Sequence, residues 1–203
     1  MEQLLDRSTD MCGSFAVVLS HIPYEVTKRS AIVSSLCSLG LEHGYALRML
    51  IASEAPSSAL ALFRCQFEVV TRATWTAFAA KEEWVSDFTT PVEGLAEPVK
   101  SPSMDEMLKN ITASAPPKAS RELSLLKDAV WKPLHSYVHG GVRPVAETLT
   151  GYESDFLRKT VLNSNGLSAM AAMVLAGLSA DTQPLMEIVR LQHEYIDCLP
   201  QRA

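Results

Sequence analysis

Two short stretches carry the residue types that could do chemistry. In LFRCQFEVVTRATWTAF, Arg64, Glu68 and Arg72 follow one another at four-residue intervals; in WKPLHSYVHGGVRP, His135 and His139 are four apart and precede a double glycine. At 3.6 residues per turn the charged triplet falls within an arc of roughly 80°, with Trp75 inside it. A guanidinium recognises phosphate bidentately, and an imidazole exchanges protons near neutral pH. A histidine in the last turn of a helix also occupies a place where the helix dipole favours a cation. Together the two groups would suit phosphate binding with His139 as general acid or base.

Each feature also has a structural reading. An Arg–Glu–Arg ladder satisfies two of its three charges internally, and the leftover cation could meet an acidic side chain from another helix as well as a phosphate. Gly140 and Gly141 read as a helix stop, and the histidines as ordinary polar residues at a helix end. A histidine pair at this spacing can hold zinc, yet no HExxH pattern and no nearby acidic or cysteine ligand accompanies it. No GxGxxG, GxxxxGK[ST] or GxSxG motif is present, so neither a metal nor a cofactor is expected.

The elements that must position these groups are helical. Apolar residues recur at helical spacing almost throughout, with no sustained period-2 alternation, which predicts an all-α bundle of about six to seven helices. Helices are expected over about Glu2–Ser20, Val26–Ser53, Pro56–Phe88, Ser103–Ser114, Ala119–Val138, Tyr152–Leu178 and Thr182–Leu199. Gly40 and Gly44 would kink the second helix or allow close packing. Pro56 begins the third in its first turn, and SMDEML from Ser103 to Leu108 carries a capping box. Pro133 should kink the helix that bears the histidines. Residues 1–203 read as a single domain, with 89–118 a proline-rich excursion of loop and short helix at its edge.

Composition narrows the class. Of 203 residues, 47% are hydrophobic and 20% charged, a globular balance. The net charge of −5 argues against a broad basic nucleic-acid surface while leaving room for a local basic groove. Cys12, Cys37, Cys65 and Cys198 form no CxxC pair and read as reduced core residues. The start MEQLLDRSTD lacks a signal-peptide pattern, and the most apolar run, Leu167 to Ala180, is 14 residues, short of the ~20 a spanning helix needs. A cytoplasmic protein without membrane contact is expected. The surplus of apolar helix faces favours a homodimer.

The segments FRCQFEVVTRATW, AAKEEWV and WKPLHSYVHGG resemble an uncharacterised bacterial helical family with an R-x-x-[FY]-E-x-x-x-R helix and a later V-H-G-G segment. That family in turn resembles the HEPN superfamily of helical bundles found in toxin–antitoxin and phage-defence systems. The similarity spans roughly residues 57–144. It implies a HEPN-like bundle and a metal-independent ribonuclease cutting RNA at a dimer interface, with an antitoxin or other protein as partner. In such enzymes an arginine precedes the catalytic histidine with four to six residues between them. His139 is the candidate histidine and His135 fills the polar position, but Lys132, Pro133 and Leu134 stand where the arginine should be. Arg64 or Arg72 would have to replace it in space, with Glu68 orienting them. The rival expectation is a non-catalytic helical homodimer that binds a partner protein or small ligand, with the charged ladder purely structural.

Overall fold

The computed structural model describes residues 1–88 and 99–201. Its elements are α1 (Glu2–Leu19), α2 (Lys28–Ala52), α3 (Pro56–Phe78), α4 (Glu82–Phe88), α5 (Met104–Ser114), α6 (Pro117–Val138), α7 (Val142–Thr150), α8 (Ser154–Ala176) and α9 (Gln183–Glu194), closed by a 3₁₀ turn at Ile196–Cys198. The all-α expectation holds. The expected six to seven helices are too few, because nine are present among the described residues. Most of the expected excursion loop, residues 89–98, lies outside them.

α2 and α3 form the central antiparallel pair. Their contact depends on two glycines one turn apart: a Cβ at Gly40 would lie 2.6 Å from Val70 Cγ2, and one at Gly44 would lie 2.6 Å from Ser168 Oγ and 2.7 Å from Gln66 Nε2. The glycines therefore serve close packing. α8 packs against both central helices, α5 and α6 against α3, and α1 and α9 against α8. The principal apolar cluster includes Leu47, Phe63, Phe67, Ile111, Leu123 and Leu167, while a second gathers Met11, Phe15, Ala172, Ile188 and Leu191 around α1, α8 and α9.

A polar seam runs through this interior. Gln66 donates from Nε2 to the Ser164 carbonyl (3.1 Å) and to Ser168 Oγ (3.2 Å), and accepts from Ser164 Oγ (2.7 Å). Asn165 donates to Ser8 Oγ (2.7 Å) and the Cys198 carbonyl (2.9 Å). Gln66, Ser164, Ser168, Asn165 and Ser8 are all fully buried, so these bonds are what makes their burial tolerable.

The third helix is shorter than its apolar pattern predicts. α3 stops at Phe78, and Arg29 of α2 bonds the freed carbonyls of Thr76 and Ala80 while pairing with Glu82 at 2.6 Å. An arginine from another helix thus satisfies orphan acceptors at the α3 C-terminus, where the dipole favours its charge. The capping box at Ser103 is formed as expected: Ser103 Oγ accepts from the Glu106 N–H at 3.3 Å, and Glu106 Oε2 accepts from the Ser103 N–H at 2.8 Å.

Candidate functional site: the α3–α6 clamp and the α6–α7 turn

Arg64 is held from three directions. Its Nε donates to Glu68 Oε1 at 2.9 Å, its Nη1 donates to the Trp131 carbonyl at 3.2 Å, and its guanidinium carbon lies 3.8 Å from the centroid of the Trp131 ring. The side chain is only 12% exposed. Phe67, one turn further along α3, meets the same indole edge-on at 5.9 Å and 65°. Arg64 therefore fastens α3 to α6 through charge, hydrogen bond and ring stacking together.

The second rung of the expected ladder is not formed. Among the described residues Glu68 pairs with Arg64 alone, and Arg72 Nε is buried without a hydrogen-bond partner. The four-residue spacing places all three groups on one face, but α6 already fixes Arg64, and the carboxylate goes to the arginine that is held. Trp75, expected beside the ladder, instead packs edge-to-face on Trp84 of α4 at 4.7 Å.

His135 and His139 come together as their spacing predicts, with ring centroids 4.3 Å apart, and both are exposed. Among the described residues no hydrogen bond or ion pair joins either imidazole to Arg64, Glu68 or Arg72. His139 is the C-cap of α6, its N–H bonded to the His135 carbonyl at 3.3 Å. Lys132 on the preceding turn is exposed.

The double glycine has two separate causes. Gly140 adopts φ +60°, the left-handed conformation that ends a helix, and the Gly141 N–H bonds back to the Ser136 carbonyl at 2.8 Å, completing a Schellman turn. A Cβ at Gly141 would lie 2.5 Å from Ser136 Oγ and 3.3 Å from Ser136 Cα. The Arg143 N–H then donates to Ser136 Oγ at 3.2 Å. Glu147 accepts from the Tyr137 hydroxyl and, at 3.0 Å, from Arg143 Nε, which straps α7 to α6. Burial and the Glu147 carboxylate push the Tyr137 hydroxyl well above the usual phenol range, so it remains a donor.

The model of a family described as a family of unknown function (DUF6988) matches residues 37–201. The chain belongs to this family. No curated protein and no solved structure matches the chain. The DUF6988 match covers the clamp, both histidines, the glycine turn and α7, and it begins within α2, so α1 precedes it. No helix among the described residues is long and apolar enough to cross a membrane.

Within the DUF6988 region a buried charged residue also escaped the sequence reading. Arg48 of α2 is 4% exposed, and among the described residues its Nε and Nη1 have no hydrogen-bond partner. It lines a cavity of about 300 Å³ between α1 and α2, together with Cys12, Phe15, Leu41 and Tyr45. The signal was present: LEHGYALRMLIA offers Arg48 no carboxylate three or four residues away in either direction. Trp131, the third member of the clamp, carries no local mark, since 67 residues separate it from Arg64.

Proposed function

We propose that this protein is a non-catalytic helical binding protein that works as a homodimer, with Arg64 and Glu68 as internal fastenings and α7 as the dimer contact. The observation that carries this reading is the state of α7. It contributes no buried side chain, and Val142, Val145 and Leu149, at three- and four-residue spacing, are 84%, 57% and 83% exposed. An apolar stripe of that kind asks for a cover. In a two-fold dimer α7 would cover α7 of a second copy, each stripe meeting its own image. The commitment of Arg64 to Glu68 and Trp131 supports the non-catalytic part, because little of that guanidinium is left for a substrate.

Sedimentation equilibrium tests the reading. The wild-type chain should be dimeric at micromolar concentration, and Leu149→Glu should weaken the dimer at least tenfold with unchanged helical circular dichroism, since an exposed position hardly affects the monomer. A monomeric wild type, or a Leu149→Glu dimer of equal affinity, would sink it.

A second reading rests on the paired, exposed imidazoles and on the buried Nε of Arg72, which has no partner among the described residues. In it the chain is a HEPN-like, metal-independent ribonuclease of toxin or defence type. His139 acts as general acid or base, His135 assists, Arg72 with Arg64 holds the scissile phosphate, Glu68 orients the arginines, and an antitoxin is the partner. Expression of wild type should then arrest growth and degrade RNA, and His139→Ala should reduce cleavage by ~10²-fold or more. Equal phenotypes for the two chains would remove it.

A further inference from the structure

We propose that the cavity between α1 and α2 is a binding site for a small organic carboxylate, its anionic head against Arg48 and its apolar body along Phe15, Leu41 and Tyr45. The inference is independent of the dimer reading, which uses no residue of this cavity. Three observations carry it. The first is charge: a guanidinium is permanently cationic, Arg48 is nine-tenths buried, and none of the ion pairs among the described residues involves it. A buried charge without a counter-ion is unfavourable, and an arriving anion relieves that.

The second is hydrogen bonding: among the described residues the buried Nε and Nη1 find no partner, so the protein leaves part of the guanidinium shell incomplete. Cys12 lines the same cavity, but burial pushes its thiol up despite the nearby guanidinium, so it supplies no counter-charge at neutral pH. The third is the lining. At about 300 Å³ the cavity is of the size of small-molecule sites, and apolar side chains dominate the walls around the single cation. A bare inorganic anion would leave those walls uncovered; an uncharged hydrocarbon would leave Arg48 uncompensated. A carboxylate on a short apolar chain answers both. Gly13 at the rim keeps the mouth wide, since a Cβ there would meet nothing within 4 Å.

Octanoate, octan-1-ol and inorganic phosphate are the probes, read by isothermal titration calorimetry and thermal unfolding of the full chain. Octanoate should bind one to one and raise Tm saturably, with the alcohol and phosphate each at least tenfold weaker. Arg48→Met should abolish octanoate binding while melting no lower than ligand-free wild type, because an apolar chain replaces an uncompensated charge. Gly13→Leu should abolish binding by filling the mouth with Arg48 intact, which keeps the test decisive if Arg48→Met fails to fold. Absence of octanoate binding to wild type overturns the proposal. So do octan-1-ol as tight as octanoate, phosphate as tight as octanoate, and unchanged octanoate affinity in either variant.

Discussion

Gly44→Ala should lower stability by about 3 kcal/mol, although alanine is the better helix former. Propensity alone would favour the substitution by ~1 kcal/mol in a helix interior. The added methyl, however, would lie 2.6 Å from Ser168 Oγ and 2.7 Å from Gln66 Nε2, both in fully buried side chains. Overpacking a filled interior costs roughly 1–3 kcal/mol, and displacing Gln66 leaves buried polar groups unpaired at a further ~1–3 kcal/mol. For a chain of this size the net loss corresponds to a fall in Tm of roughly 10 °C. Urea unfolding of Gly44→Ala beside Gly13→Ala checks the argument, since a Cβ at Gly13 meets nothing within 4 Å. A neutral or stabilising Gly44→Ala would mean that α2 and α8 stand further apart than described.

Trp131→Ala should cost about 3 kcal/mol, near the lower end for tryptophan truncation because the ring is half-buried. Two losses combine: the edge contact with Phe67 and the stacking of Arg64 on the indole face. Because Arg64 and Trp131 act as one unit, the double variant Arg64→Ala/Trp131→Ala should fall short of the summed single losses by about 1 kcal/mol. Trp131→Phe should restore most of the stability by keeping an aromatic face. Strict additivity would show that the guanidinium is not held by the ring, and would return Arg64 to the set of cations free to meet a substrate.

What the sequence made legible is local, and what it hid depends on distant partners. The helical class, the Ser103–Glu106 capping box, Pro56 in the first turn of α3 and the Gly140 stop all rest on spacings of a few residues. So do the Arg64–Glu68 pair and the meeting of His135 with His139. The end of α3 was not legible, because its apolar pattern continues through Trp84 and Val85 and the stop is enforced by Arg29, 47 residues upstream of the Thr76 carbonyl it bonds. α7 was missed because a nine-residue helix begun by Val-Arg-Pro immediately after two glycines looks like loop. The buried Arg48 was hidden for the opposite reason: it lacks a partner at helical spacing, so no local pattern sets it apart as Arg64 and Arg72 are set apart.

The Schellman turn closing α6 ties geometry to the proposed association. Position 140 is restricted by a dihedral angle and position 141 by volume, so neither restriction relieves the other. Between them they set the direction in which the valine and leucine stripe points. In the proposed α7 dimer, a substitution at either glycine would thus act at a distance, spoiling the match between the two copies without altering one atom of the surfaces proposed to meet.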